Sequence, residues 1–199
     1  MEAVNVITGR GVPLVRSDVD TDQIIPSDWL KRVERTGFGA GLFSEWRENS
    51  DFVLNQERYA GANILVAGSN FGTGSSREHA VWALSDFGFR AVISSSFADI
   101  FANNSTKNGF LTVRLSDDEV ATLMQRAQQV DDYAVTVDLE KCEVRDEQGF
   151  CAKFPVEEFV RHCLLNGLDD IGLTLQHEAE ITAYEARHAV PAALSASRA

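Results

Sequence analysis

The amino-acid sequence predicts an α/β domain, and three consecutive segments support this prediction. Residues 62–67 (ANILVA) form a continuous apolar run, which is typical of a strand covered on both faces of a parallel sheet. In residues 75–88, apolar side chains recur at helical spacing up to Gly88, where a helix should end. Residues 90–94 (RAVIS) indicate a second short strand. Together these segments predict one strand–loop–helix–strand unit, which should be right-handed.

The elements after this unit are predicted in chain order from apolar runs, turns and helix caps. Residues 97–104 favour a helix, and residues 110–115 (FLTVRL) favour a strand. Ser116 and Glu119 form a capping box, which indicates that a helix begins there. A β-rich layer should follow, and two helices should close the domain. The three short antiparallel strands and the two helices are expected at residues 133–139, 141–146, 150–154, 156–166 and 169–187.

The length of the chain allows one sizeable hydrophobic core. With 199 residues and 44% hydrophobic content, the chain is too short for two comfortable domains. We therefore expect residues 1–188 to form a single domain. Residues 189–199 offer neither charge pairing nor periodic apolar residues, so we expect them to be a disordered tail.

The charge of the chain argues against two classes of partner. The formal net charge of -12 should repel both the phosphates of nucleic acids and anionic lipid headgroups, and no cluster of Lys and Arg offsets it locally. No apolar run is long enough for a helix that spans a membrane. We expect a soluble, cytoplasmic protein that binds neither nucleic acid nor membranes.

The cysteines and histidines do not form a recognisable metal site. Cys142, Cys151 and Cys163 are separated by nine and twelve residues and include no CxxC pair. The four histidines are dispersed, and none shows the helical pairing with a carboxylate that a metal site would need. We expect reduced thiols and no metal bound by this chain.

The segment Gly68–His79 is the first candidate site, because it lies between a buried strand and the start of a helix. In open α/β sheets, ligands bind at the carboxyl ends of the strands. Gly72 and Gly74 let backbone amides approach a ligand closely, and the helix amino terminus adds partial positive charge. The sequence therefore predicts that an anion binds to this loop.

Ser75 and Arg77 within this segment allow a structural and a functional interpretation. Ser75 and Glu78 have the spacing of a capping box, which would give Ser75 only a structural role. That interpretation does not explain Arg77, because the helix dipole disfavours a cation in the first turn. An arginine beside a glycine-rich loop favours a bound carboxylate or phosphate instead.

Other known loop types fit this sequence poorly. A Walker-type phosphate loop needs Lys where this chain has Gly74, and a dinucleotide site needs an acidic residue at the end of the next strand, which ends in Ser94–Ser96. A second polar cluster, Ser17–Pro26, has three carboxylates at alternate positions, as in a calcium loop. It lacks the glycine and the terminal glutamate of an EF-hand, and a solvated turn explains it equally well.

Four motifs together resemble the small subunits of isopropylmalate dehydratases, which belong to the aconitase family. These motifs are DTDQIIP (20–26), TGFGAGLFSEWR (36–47), GSNFGTGSSREHA (68–80) and FADIFANNSTKNG (97–109), and the resemblance extends from about residue 11 to 166. It implies the swivelling β/β/α fold of the last domain of aconitase, carried on a separate chain. It also implies a large partner subunit that holds a [4Fe-4S] cluster.

The resemblance assigns roles to residues of both polar segments. Ser75 corresponds to the catalytic base of the family, and Arg77 to the arginine that binds a substrate carboxylate. Ser76 would help to cradle the alkoxide of Ser75. Asp22 corresponds to an active-site aspartate, for which we expect a supporting electrostatic role.

The reaction that the resemblance implies is the isomerisation of 2-isopropylmalate and 3-isopropylmalate through isopropylmaleate, in leucine biosynthesis. The segment Trp29–Thr36 should line the pocket for the isopropyl group, with Leu30 and Val33 as the apolar contacts. Arg32 or Arg35 would weaken that specificity by meeting an extra carboxylate. The alternatives are the small subunit of a homoaconitase-type hydro-lyase and a non-catalytic regulatory module that binds an anion.

Overall fold

In this computed structural model, which describes residues 1–31 and 36–188, the described strands form one mixed seven-stranded sheet. The order of the strands across the sheet is β4-β3-β2-β1-β5-β6-β7. Their bounds are β1 Val6–Leu14, β2 Ile64–Ala67, β3 Ala91–Ser94, β4 Leu111–Arg114, β5 Ala134–Asp138, β6 Glu143–Asp146 and β7 Cys151–Lys153.

Strand β1 lies at the centre of the sheet and joins its two halves. The second part of β1 pairs in parallel with β2, from Gly11 opposite Ile64 to Leu14 opposite Ala67. The first part pairs antiparallel with β5. Strands β2, β3 and β4 continue the parallel half, and β5, β6 and β7 continue the antiparallel half.

Strand β1 was not predicted from the sequence. The β-rich layer expected after the α/β unit is not a layer of its own, because the antiparallel strands extend the same sheet through β1. The first half of β1 is largely exposed and its second half is buried, so neither strict alternation nor a continuous apolar run marks the strand. Gly9, Gly11 and Pro13 weaken the strand signal further.

The helices cover both faces of the sheet. The 3₁₀ helices lie at Ser27–Lys31, Phe38–Gly41, Val53–Asn55 and Glu57–Tyr59. The α-helices are α1 Thr21–Ile24, α2 Ser44–Arg47, α3 Glu78–Phe87, α4 Asp99–Lys107, α5 Asp117–Gln129, α6 Glu158–Asn166, α7 Asp170–Leu175 and α8 Glu178–Arg187.

Two hydrophobic cores lie on the two sides of the sheet. In β2, Leu65 and Ala67 join the core that contains α3, whereas Ile64 and Val66 join the core that contains α5. Every residue of β2 is therefore buried, as the continuous apolar run predicted. The unit formed by β2, α3 and β3 is confirmed, and α3 ends at Gly88, whose φ is 118°.

Several helix boundaries differ from those expected. Helix α4 begins two residues late, because Phe97 forms a bridge to Phe71 before the helix starts. The helix expected at 169–187 is two helices, since the backbone leaves helical geometry at His177. The capping box of Ser116 and Glu119 is confirmed at the start of α5. Residues 189–199, the expected tail, lie outside the described residues, and the single domain at 1–188 stays a prediction.

Candidate active site

The two polar segments found in the sequence lie side by side at the carboxyl end of the parallel strands. The Gly72 amide donates to the Val19 carbonyl oxygen at 2.7 Å, and the Thr21 amide donates to the Thr73 carbonyl oxygen at 2.9 Å. The Thr21 hydroxyl donates to the Ser75 carbonyl oxygen at 2.9 Å. These bonds fix the start of α1 against the backbone of Ser75.

A third loop, which follows β3, supports the glycine-rich loop from its other side. The Phe71 amide donates to the Ser96 carbonyl oxygen at 3.0 Å, and the Ala98 amide donates to the Phe71 carbonyl oxygen at 3.0 Å. The Ser96 hydroxyl also accepts from the Asn70 amide at 2.8 Å. The glycine-rich loop is thus held between its neighbours, as a preorganised binding site requires.

Ser75 and Ser76 are exposed at the end of this loop. Within residues 1–31 and 36–188, neither hydroxyl makes a hydrogen bond that would occupy it. Helix α3 begins at Glu78, and Arg77, rather than Ser75, is its N-cap residue, without a capping side chain. The capping-box interpretation of Ser75 is therefore wrong, and the Ser75 hydroxyl is accessible to a ligand.

Arg77 and Asp22 are brought together although 55 residues separate them. Arg77 Nη1 donates to Asp22 Oδ1, and the side chains are 16% and 57% exposed. As the N-cap residue, Arg77 lies just before the first turn of α3 rather than within that turn, as the sequence had indicated. The rest of its guanidinium fork makes no hydrogen bond to a described residue, and so can receive a carboxylate.

The carboxylates of the Asp18–Asp22 segment have separate structural tasks. Asp20 caps α1 and accepts from the Gln23 amide at 2.7 Å. Asp18 accepts from Asn70 Nδ2 at 2.7 Å. Among the described residues, no three His, Cys, Asp or Glu side chains are grouped so that they could hold a metal ion. The calcium-loop alternative therefore finds no support at this segment.

The two glycines expected to bind an anion differ in what they can do. The Gly72 amide is already donated within the chain, and a Cβ at Gly72 would lie 2.3 Å from Phe101 Cγ. Gly72 is therefore required by packing and does not offer its amide to a ligand. Gly74 is exposed with a φ of 87°, and no described residue accepts from its amide. The expected anion-binding role thus rests on Gly74 and Ser76.

The residues that anchor the start of α3 were not singled out from the sequence. Asn108 Nδ2 donates to Glu78 Oε1 at 2.9 Å, and Trp82 Nε1 donates to Asn108 Oδ1 at 2.9 Å. His79 packs against the rings of Phe38 and Trp82, with centroid distances of 5.2 and 4.7 Å. The motif at 97–109 contains Asn108, but only the fold shows that it contacts α3.

The segment expected to contact the isopropyl group is described only in part. Leu30 is half-buried in the 3₁₀ helix Ser27–Lys31, which follows α1 directly. Val33, together with Arg32 and Arg35, lies outside the described residues. The expected role of Leu30 and Val33 stays a prediction.

The cysteines are single thiols at separate sites. Cys142 is half-buried, Cys151 is exposed and Cys163 is buried, and all three are free. Burial, reinforced by the negative charge of Asp170, raises the pKa of the Cys163 thiol.

In the part of the chain that the structure describes, no helix is both long and apolar enough to cross a membrane.

Three family models match successive parts of the chain. The model of the aconitase C-terminal domain matches residues 1–118. A model described as LeuD_N matches residues 121–158. The model of the C-terminal domain of the 3-isopropylmalate dehydratase small subunit matches residues 170–190.

Curated relatives match nearly the whole chain. The 3-isopropylmalate dehydratase small subunit of Frankia alni is 62% identical over 186 residues, which are 94% of this chain and 95% of the relative. The small subunit of the same name from Acidobacterium capsulatum is 55% identical over 188 residues, 94% of this chain and 91% of the relative.

A solved structure of 3-isopropylmalate dehydratase from Methanocaldococcus jannaschii has a similar fold. It superposes with a TM-score of 0.68 at 26% identity, and the match covers 90% of this chain and 99% of the other. Together with the aconitase C-terminal domain match, this likeness confirms the swivelling β/β/α fold class.

Proposed function

Because the chain belongs to the family of 3-isopropylmalate dehydratase small subunits, we propose that it supplies half of an active site for isomerising 2-isopropylmalate and 3-isopropylmalate. The reaction removes water to give isopropylmaleate and adds it back at the neighbouring carbon, as a step of leucine biosynthesis. The names of the relatives do not favour a homoaconitase-type enzyme or a regulatory module. The cytoplasmic location stays a prediction.

One observation carries this proposal: an exposed serine and an arginine–aspartate pair lie together in the loops at the carboxyl end of the parallel strands. Ser75 is exposed two residues before Arg77, and Arg77 contacts Asp22. A hydroxyl, a guanidinium and a carboxylate are the groups needed to move a proton, hold a dicarboxylate and orient the guanidinium. This arrangement supports the roles that the family resemblance implies.

Arg77 is proposed to bind one carboxylate of the substrate. Asp22 engages Nη1 and leaves the other donors of the guanidinium for the ligand. The chain between Asp20 and Gln23 is fixed by a capping box, so the position of Asp22 is set before substrate arrives. Asp22 would thus orient Arg77 electrostatically, and the amide of Gly74 and Ser76 would add donors around the bound anion.

Ser75 is proposed to take the proton from the substrate carbon and to return it during rehydration. An alkoxide needs strong stabilisation, and a helix amino terminus contributes only about 0.3 to 2 kcal/mol. Since one pKa unit corresponds to about 1.36 kcal/mol, the dipole of α3 lowers the pKa of a hydroxyl by at most about one and a half units. Loop amides, Arg77 and the exclusion of water must supply the rest.

The large partner subunit is proposed to exclude that water and to carry the [4Fe-4S] cluster. This chain is suited to neither task. Its candidate site is open to solvent, and its three cysteine thiols lie at separate sites. Among the described residues, no set of His, Cys, Asp or Glu side chains is suited to holding a metal, so the partner would supply the ligands of the cluster. When bound there, the cluster would supply the Lewis acid for the hydroxyl group.

Substrate choice is proposed to depend on Leu30 and Val33. An apolar pocket discriminates between alkyl groups by about 1 to 3 kcal/mol per methylene. Citrate and homocitrate should be rejected more strongly, because burying an unpaired carboxylate costs several kcal/mol.

Replacing Ser75 tests the proposed base. We expect Ser75→Ala to assemble with the large subunit and to lose at least about a hundredfold in kcat, which is typical when general-base catalysis is removed. Ser50→Ala, at an exposed serine outside both polar segments, is the matched control and should keep its activity. Steady-state kinetics of both assembled complexes with 3-isopropylmalate provide the measurement. If the Ser75→Ala complex retains more than about a tenth of the wild-type rate, Ser75 is not the base.

A further inference from the structure

The 3₁₀ helix Phe38–Gly41 contacts Trp29, the first residue of the segment expected to select the substrate. The ring of Trp29 lies so close to Gly41 that a Cβ there would stand 2.5 to 2.8 Å from ring carbons. Phe38, at the start of the same 3₁₀ helix, is fully buried, and its ring packs against His79 at a centroid distance of 5.2 Å. The start of the segment is thus seated on this short helix.

This 3₁₀ helix is itself fixed on α3, which begins directly after Arg77. The Phe38 amide donates to Asp86 Oδ2 at 3.0 Å. A Cβ at Gly39 would lie 2.8 Å from the backbone of Asp86, so the two helices approach as closely as backbones allow. The 3₁₀ helix therefore connects Trp29 to α3, the helix that follows Arg77.

We propose that Gly41 is a positioning residue for substrate selection. Because Gly41 has no side chain, the indole of Trp29 can pack directly against its backbone. This contact fixes the position of Leu30, the next residue, relative to Arg77. A methyl group at Gly41 would meet the centre of the indole rather than a flexible chain end, so the whole ring must move. The inference rests on the proposed function, because it assumes that Leu30 faces the alkyl group of the substrate.

A double-mutant cycle in the assembled complex tests this inference. The quantity measured is the ratio of kcat/KM for 3-isopropylmalate to kcat/KM for 3-methylmalate, whose alkyl group is smaller. We expect Gly41→Ala to lower this ratio by about fivefold or more, which is within the discrimination of an apolar pocket. Adding Trp29→Phe to Gly41→Ala should bring the ratio back toward wild type, because the smaller ring leaves room for the methyl group. Trp29→Phe alone completes the cycle.

Gly11→Ala is the matched control, since a Cβ there would meet Val135 at 3.4 Å, an ordinary contact distance. It should leave the ratio unchanged. An unchanged ratio in a folded, active Gly41→Ala complex would overturn the proposal, because a purely structural role alters stability but not selectivity. If Gly41→Ala does not assemble, Trp29→Leu loosens the same seat, and an unchanged ratio there would also overturn it. Failure of the wild-type complex to convert isopropylmalate would instead refute the proposed function.

Discussion

Gly72 and the four residues from Gly74 to Arg77 divide structural and chemical tasks within one loop. The Gly72 amide donates to the Val19 carbonyl oxygen, and the absence of a Cβ at Gly72 leaves room for the ring of Phe101. Gly72 therefore has a structural role in the loop. Residues 74–77 hold the groups that remain accessible for a ligand. Changes at Gly72 should therefore affect stability first, whereas changes at Ser75 should affect the reaction.

Gly72→Ala is expected to destabilise the chain by about 2 to 5 kcal/mol, because overpacking against Phe101 adds to the strain of a left-handed residue. Its φ of 81° is rarely adopted by alanine. Gly61→Ala is the matched control, since Gly61 has a φ of 71° and a Cβ there meets no described atom within 4 Å. It should cost only about 1 to 2 kcal/mol. Chemical denaturation of both variants measures the difference, and equal losses would show that Phe101 yields without cost.

Asp146, at the end of β6, holds the hairpin formed by β6 and β7. Its side chain is 0% exposed. One carboxylate oxygen accepts from Tyr133 Oη and from Arg126 Nη1, each at 2.5 Å. The other accepts from the amides of Gln148 and Phe150, each at 2.8 Å. Burial acts to raise the pKa of Asp146, but these hydrogen bonds outweigh it, and the pKa lies below its ordinary value.

A carboxylate whose pKa is lowered by folding stabilises the fold above its unfolded pKa, and this contribution is lost as the pH falls through the folded pKa. We expect Asp146→Asn to lower the free energy of unfolding at pH 7 by about 2 to 4 kcal/mol, since it removes one partner of a buried pair. The difference in unfolding free energy between this variant and the wild type should become smaller at pH values below 3.8, the ordinary pKa of aspartate. Urea denaturation between pH 3 and pH 8 measures both effects.

The control for the hairpin is Asp132→Asn, because the Asp132 side chain pairs with Arg10 at the surface and is 78% exposed. Exposed ion pairs contribute about 0 to 1 kcal/mol, so this variant should be close to wild type at every pH. A loss at Asp146→Asn that is independent of pH would show that packing, rather than charge, holds the hairpin.

At the scale of the whole molecule, local sequence patterns predicted the unit formed by β2, α3 and β3. Strand pairing between residues far apart in sequence was not predicted. The run at 62–67, the stop at Gly88 and the capping box at Ser116 depend on neighbours in sequence, and each is confirmed. Strand β1 depends on two partners that lie about 55 and 130 residues away, and its own pattern shows neither. Each half of the candidate site was likewise visible as a motif, but only the fold joins Asp22 to Arg77.

The proposed division of the active site between two chains gives a further prediction. After anaerobic reconstitution with iron and sulfide, we expect the isolated chain to carry no stoichiometric [4Fe-4S] cluster, because its three cysteines occupy separate sites. The large subunit treated in the same way should carry one. Visible absorption and iron analysis provide the measurement. A stable cluster on the isolated small chain would contradict the two-subunit proposal.

The double pairing of β1 also has a consequence for folding during synthesis. Its second half can pair with β2 once residue 67 has left the ribosome, but its first half must wait for residue 138. At about 5 to 20 residues per second, that interval lasts roughly 4 to 14 s. During this time one edge of the nascent parallel sheet lacks its neighbour, and an unpaired strand edge invites association with other chains. The risk of aggregation at this edge therefore falls in the period when residues 68–138 emerge from the ribosome.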